Sequence, residues 1–140
     1  MNVTLALVFA LGAPGLKDPP AKPNPLVGEW VQVSVALAGK TRTDSAYRYE
    51  FTADGKWLRH FRDKKLQGDS QYSIDLKADP SAIDLKTRAD WPSIQGIFKV
   101  EGDTLTIAEA QDGRTVRPTD FEIPKDSKVA VYVFKRVKKD

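Results

Sequence analysis

The sequence offers few residues whose type and spacing predict chemistry, and the first is its one histidine, His60. It lies in the run WLRHFR, which begins at Trp57. A metal site built on histidine needs further ligands, and the chain has no cysteine and no second histidine to share a metal ion. We therefore interpret His60 as an ordinary strand residue rather than as a catalytic base.

Pairs of acidic residues are the other candidates, since acid–base catalysis uses two carboxylates at a defined separation. The pairs are Glu101 with Asp103 and Asp75 with Asp84, and we interpret them as turn and surface acids. No serine stands in a nucleophile elbow, and the glycines form neither a phosphate-binding loop nor a dinucleotide fingerprint. The sequence therefore predicts a protein that is not an enzyme, with no catalytic residue, metal site or cofactor.

Composition and charge narrow the class of protein further. The chain has 140 residues, and 22 basic residues against 19 acidic ones give a formal net charge of +3. The absence of cysteine excludes a disulfide scaffold, a thiol nucleophile and a thiolate zinc site. Because acids and bases are interspersed, there is no field of one sign, and we predict no nucleic-acid partner. We interpret the basic tail at 135–139 as a solvated strand end, with a phosphate or anionic-lipid site as its alternative.

The N-terminal segment differs in character from the rest of the chain. Residues 1–13 contain a short apolar run followed by small residues, which is typical of a cleaved signal peptide. Residues 14–25 are rich in proline, which predicts an extended linker. We expect an exported protein, periplasmic or extracellular, with its folded domain at 26–140. The apolar run is too short to span a bilayer, so no membrane span is predicted.

From residue 26 onward the sequence alternates apolar and polar residues with turn residues between the runs, a pattern typical of antiparallel β-structure. The Asp54-Gly55 pair between two such runs indicates a hairpin. Two further strands are expected in the region 113–124. An all-β fold, a single antiparallel barrel of about eight strands, would protect the edges of so many strands. The predicted strands are 29–38, 46–53, 56–62, 70–77, 82–87, 94–100, 104–110 and 129–137.

The alternation also predicts which side chains face the barrel interior. In the first strand, Trp30, Gln32 and Ser34 share one face, while the valines and Leu37 share the other, and the sequence leaves open which face is internal. In the other strands the apolar members should point inward. These are Tyr49, Phe51, Ile74, Leu76, Ile83, Leu85, Leu105 and Ile107.

A Gly-x-Trp motif opens the first strand, at Gly28 and Trp30, and Phe134-Lys135-Arg136 closes the last. This arrangement resembles lipocalins and related calycins, in which that tryptophan stacks on an arginine of the last strand at the closed end of the barrel. With the segments 80–85, 96–105 and 117–121, it resembles an uncharacterised family of lipocalin-like domains abundant in planctomycete bacteria, over about 26–137. The resemblance implies an up-and-down barrel and structural roles for Gly28, Trp30 and Arg136. It carries over no catalytic or ligand-binding residue.

The sequence leaves three hypotheses for the function of this protein. The first is a binding module that holds a small hydrophobic molecule in the barrel, with Trp57, Phe61, Tyr72 and Trp91 as lining residues. The second is a non-catalytic structural or interaction domain of the cell envelope whose interior is filled by side chains. A hydrolytic enzyme stays open as the third because no single motif excludes it. An interior cavity of a few hundred Å³ would favour the binding module.

Overall fold

The protein is described by a computed structural model that covers residues 23–43, 46–66, 70–88, 92–111, 116–122 and 128–138. These residues form ten β-strands and no helix. Within the described ranges, therefore, no helix is long and apolar enough to cross a membrane. The strands are β1 (Gly28–Leu37), β2 (Lys40–Thr43), β3 (Tyr47–Phe51), β4 (Trp57–Phe61), β5 (Lys64–Lys65), β6 (Gln71–Asp75), β7 (Ser81–Lys86), β8 (Ile94–Glu101), β9 (Thr104–Ala110) and β10 (Val129–Arg136).

All ten strands belong to one sheet, and every strand pair in it is antiparallel. Nine strands follow the order β5-β4-β3-β1-β10-β9-β8-β7-β6, while β2 pairs with β1 off that path. Residues near the two ends of the path approach each other. Lys56, which precedes β4, forms an isolated bridge with Gln71 of β6, and the Tyr72 amide donates to the Gly55 carbonyl at 2.9 Å. The prediction of an all-β antiparallel fold is confirmed.

Two strands were not expected from the sequence. β2 is fully exposed and continues from β1 through a tight turn, in which Ala38 and Gly39 have positive φ values of 55° and 79°. β5 is a pair of exposed lysines that follows Arg62, also at positive φ. Neither strand buries an apolar face, so neither has the alternation that reveals a strand in sequence.

The region 113–124 was expected to supply two more strands. Its described part, 116–122, contains none, and the remainder lies outside the described residues. Phe121 from this segment packs instead on a small apolar cluster formed by Ile97, Ala108 and Val131. This cluster lies on the outer face of β8, β9 and β10, so the segment covers the sheet rather than extending it.

The main core lies on the inner face of the curled sheet. All eight side chains predicted to face inward belong to it, six of them buried and two, Ile74 and Leu76, partly buried at its margin. Successive side chains of a strand point to opposite faces, which is why a local pattern identified these positions. The prediction of the interior residues is therefore confirmed.

The first strand departs from strict alternation at a β-bulge. Gln32 pairs with Phe134 and Ser34 pairs with Val133, which leaves Val33 as an extra residue on β1. An extra residue reverses the direction of every side chain that follows it. Val35 and Leu37 therefore face the interior with Trp30 and Gln32, and the predicted division of β1 into two constant faces is wrong beyond residue 32.

Candidate functional site

One end of the sheet's interior is sealed by the segment that precedes β1. Leu26 of this segment is fully buried, and its carbonyl accepts a hydrogen bond from Trp30 Nε1 at 2.9 Å. The Arg136 guanidinium carbon lies 4.2 Å from the centre of the Trp30 ring. The predicted contact between these two residues is thus present, and we call this region the closed end.

Arg136 also ties the segment to the last strand through backbone acceptors. Its Nη2 donates to the Pro25 carbonyl at 3.2 Å, and its Nη1 donates to the Val27 carbonyl at 3.3 Å. Gly28 lies directly against it with a φ of 130°, and a Cβ added there would approach Arg136 Nη1 to 3.3 Å. A side chain at residue 28 would therefore meet both a strained backbone and the guanidinium.

The aromatic residues expected to line a ligand site lie mostly in the packed part of the interior. Trp57 is 2% exposed and donates from Nε1 to the Lys86 carbonyl at 3.2 Å. Tyr72 is buried against Phe51 and donates its hydroxyl hydrogen to the Thr52 carbonyl at 2.6 Å. Phe61 is partly buried beside Tyr47, with ring centres 4.9 Å apart. Trp91 lies outside the described residues.

A cavity of about 380 Å³ opens at the other end of the interior, which we call the open end. Strands β1, β2, β3, β4 and β10 contribute to its wall, together with the residue that follows β9. Its lining combines apolar groups, tyrosines, amides and cations. The lining residues are Gln32, Val35, Leu37, Lys40, Arg42, Tyr47, Tyr49, Arg59, Gln111, Ala130 and Tyr132.

A buried carboxyl group, Glu109, lies behind this lining. It is 6% exposed and accepts a hydrogen bond from Gln111 Nε2 at 3.2 Å. Burial raises the pKa of its carboxyl to about 7, while Gln111 and the positive charge of Arg59 oppose that rise. A carboxyl group near half protonation at neutral pH can accept or donate a proton with little cost.

Two tyrosines stand close enough to Glu109 to feel its charge. Burial, reinforced by Glu109, raises the pKa of the Tyr49 phenol well above its ordinary range. The same two causes raise the pKa of Tyr132 to about 12. Both phenols are therefore neutral at physiological pH and offer O–H donors inside the cavity.

Glu109 and Arg59 were not predicted as site residues, although the sequence contains a signal for each. Glu109 continues the inward series of Leu105 and Ile107 at the same spacing of two residues. Arg59 likewise lies between the aromatic residues Trp57 and Phe61 at a spacing of two residues. A charged residue at an inward position of an otherwise apolar series indicates a functional site, because an unpaired charge in a core is costly.

His60 and the acidic pairs that were considered for catalysis do not line this cavity. Glu101 and Asp103 are exposed in the β8–β9 hairpin, and Asp103 forms an ion pair with Lys138 at 3.1 Å. Asp84 forms an ion pair with Arg117 at 2.7 Å. His60 belongs to β4 and pairs with Arg48 across the sheet. In the part of the chain that the structure describes, no group of three or more His, Cys, Asp or Glu side chains could hold a metal ion.

Two other depressions lie beside the segment 116–122. One of about 430 Å³ borders Arg117, and the other, of about 460 Å³, borders Phe121. The cavity at the open end differs because buried, perturbed groups converge on it, which is the usual mark of a binding site.

Comparison with known proteins gives no relative from which a function could be transferred. No family model matches the chain, and no curated protein and no solved structure matches it.

Proposed function

We propose that this protein is a non-catalytic binding module that holds one small, largely apolar molecule in the cavity at the open end. The observation that carries the proposal is the cavity itself, with its volume of about 380 Å³ and its tyrosine-rich lining. Pockets for small molecules fall in this range of size and combine apolar walls with a few polar groups.

The division of the interior into two halves supports this function over a purely structural one. At the closed end, Trp30, Phe51, Trp57 and Phe134 are 2% exposed or less and fill the space between the strands. At the open end, Val35 and Leu37 turn inward beyond the bulge but leave the cavity open. A domain that acted only through its surface would have no need of an unfilled interior, since empty space costs stability.

Our proposal includes a lipocalin-like architecture, a closed up-and-down barrel of eight principal strands. Its support is the pairing of β1 with β10, the bridge between Lys56 and Gln71, and the stacking of Trp30 on Arg136. The short strands β2 and β5 are additions to that plan. Resemblance to the uncharacterised planctomycete family belongs to the same proposal.

We also propose that the protein is exported from the cytoplasm. The support is the apolar run and small residues of 1–13, followed by the proline-rich residues 14–25. N-terminal sequencing of the protein purified from its source should give a mature chain that begins near residue 14. A mature chain that begins at Met1 would contradict the proposal.

The binding function is tested by native mass spectrometry of the protein purified from its source. We expect one small molecule retained per chain. Val35→Trp should abolish this retention, because the indole would fill the cavity that Val35 lines. Val33→Trp is the matched control, since Val33 is 39% exposed and is not part of the lining. Equal retention by both variants, or no retained molecule in any sample, would contradict the function and favour the structural or interaction domain.

A further inference from the structure

The lining of the cavity at the open end is positively charged. Among the described residues, three cationic side chains line the cavity, Lys40 and Arg42 from β2 and Arg59 from β4, and no acidic side chain does. The cations of β2 are exposed on the rim, whereas Arg59 belongs to the inward series of β4. An anion that enters the cavity would therefore meet positive charge at the rim and again in the wall.

Arg59 has unused hydrogen-bonding capacity inside the protein. Its Nε is buried, and among the described residues it has no hydrogen-bond partner. A buried donor without a partner is costly. An acceptor oxygen supplied by a ligand in the cavity would satisfy this group.

Within the described part of the chain, Glu109 is the acidic group that interacts with Arg59. Tyr49 of β3, Arg59 of β4 and Tyr132 of β10 are the charged or titratable groups that interact with it, and Gln111 donates a hydrogen bond to it. On β8 its direct partner is Gly96, which has no side chain. Arg59 is thus the only cation among these neighbours.

We propose that the cavity binds a largely apolar molecule carrying one anionic group, that Arg59 holds this anion, and that Glu109 takes up one proton as the ligand binds. The inference rests on the proposed binding function and specifies its ligand class. The proton comes from solvent and joins the Glu109 carboxylate, so the Coulombic attraction between Arg59 and Glu109 is replaced by an ion pair between Arg59 and the ligand.

The physical reason for the coupling is competition for one positive charge. An anion bound at Arg59 adds negative charge close to Glu109 and weakens the hold of Arg59 on its carboxylate, and both effects favour the neutral carboxyl. Because the pKa of Glu109 is about 7 before the ligand arrives, protonation is accessible at neutral pH. Affinity for the anion should therefore fall as the pH rises through that value.

The experiment uses two fluorescent probes with the same ring system. 1-Anilinonaphthalene-8-sulfonate carries a sulfonate that stays ionised across the relevant pH range, and N-phenyl-1-naphthylamine lacks that group. Each probe is titrated into the full chain from about pH 5.5 to about pH 8.5, a range that spans the titration of a carboxyl group displaced to neutral pH. We expect one sulfonate probe per chain, with an affinity about tenfold higher at the acidic end, and little pH dependence for the neutral probe.

Two variants and one control test whether sulfonate binding depends on Arg59 and whether its pH dependence arises from Glu109. Arg59→Met should weaken the sulfonate probe by about tenfold or more, as expected for a lost hydrogen bond to a charged group, and should weaken the neutral probe much less. Arg48→Met is the matched control, because Arg48 lies on the neighbouring strand at an alternate position, outside the lining. Glu109→Gln should remove the pH dependence of sulfonate binding.

Calorimetric titration of the unmodified chain in two buffers of different ionisation enthalpy gives a readout that needs no variant. Near neutral pH we expect net proton uptake on binding of the sulfonate probe and none with the neutral probe. Equal affinities for the two probes, no proton uptake, or equal losses in Arg59→Met and Arg48→Met would overturn the inference while leaving the binding function intact. Failure of both probes to bind would overturn the binding function as well.

Discussion

Arg136 stacks its guanidinium on the indole of Trp30, 4.2 Å from the ring centre, although one residue belongs to the first strand and the other to the last. The two are also direct partners in the pairing of β1 with β10. The contact therefore joins the first and the last strand of the sheet at its closed end, and it depends on the pairing of β1 with β10.

Loss of either partner should destabilise the fold. Trp30→Ala should lower the free energy of unfolding by about 3 to 5 kcal/mol, because a fully buried large side chain is lost. Arg136→Lys should cost less, since lysine keeps the charge but has no planar group to stack. Denaturant unfolding of the single and double variants gives the coupling energy, for which we expect about 0.5 to 2 kcal/mol. Exposed Lys135→Ala is the control, and a coupling of zero would contradict the partnership.

Glu109 should make the stability of the protein depend on pH. Its pKa in the folded protein is about 7, above the ordinary value of 4.5, so the folded state binds more protons than the unfolded state between these two values. The free energy of unfolding should therefore fall as the pH rises through this window, by about 3 kcal/mol in all. Glu109→Gln does not titrate and should lose this dependence.

Denaturant unfolding at a series of pH values measures the pH dependence of stability in the unmodified chain and in Glu109→Gln. Glu101→Gln is the control, because Glu101 is exposed at the β8–β9 turn and its substitution should leave the pH profile unchanged. Parallel profiles for the unmodified chain and Glu109→Gln would show that the buried carboxyl does not titrate in this way.

Even a methyl group at residue 96 should destabilise the fold. A Cβ at this position would lie 2.7 Å from the Ala108 carbonyl oxygen and 3.3 Å from Glu109 Cβ, so the two strands would have to separate. We expect Gly96→Ala to cost about 2 kcal/mol, as overpacking of a core usually does. Gly102→Ala is the comparison, with open space around it but a φ of +62°, and should cost about 1 kcal/mol. Thermal unfolding that ranks the two variants in the opposite order would contradict the steric argument.

Arg117 should hold the segment 116–122 on the outside of the sheet. Its Nη1 donates to the carbonyls of Ile83 and Gly96 at 3.0 and 2.8 Å, and its Nη2 donates to Asp84 at 2.7 Å. Arg117→Ala should lower the free energy of unfolding by about 1 to 3 kcal/mol, because these acceptors lose their partner.

Hydrogen exchange should show which part of the sheet is destabilised when the hydrogen bonds of Arg117 are lost. We expect faster exchange on the outer-face neighbours of Phe121 in Arg117→Ala, and no change in Lys128→Ala, whose side chain is exposed. Unaltered stability and exchange in Arg117→Ala would mean that the segment is held by its apolar contacts alone.

The sequence alone determined the class of fold and most of the core. Alternation with a period of two is a local property of the chain, so it located the eight long strands and the inward positions of residues such as Ile83 and Leu105. The pairing of Trp30 with Arg136 was also accessible, because a recognisable motif stands at each end of the domain. β2 and β5 escaped prediction because exposed polar residues leave no alternation.

Only the tertiary structure decided what the interior can bind. The bulge at Val33 reverses the second half of β1, and nothing in the local sequence marks an extra residue, because it is defined by the partner strand. The predicted lining residues Trp57 and Tyr72 lie in the packed part of the interior, whereas Arg59 and Glu109 become neighbours although they belong to strands that are distant along the chain. Which inward side chains meet is fixed by strand order and register, and those arise only when the whole sheet assembles.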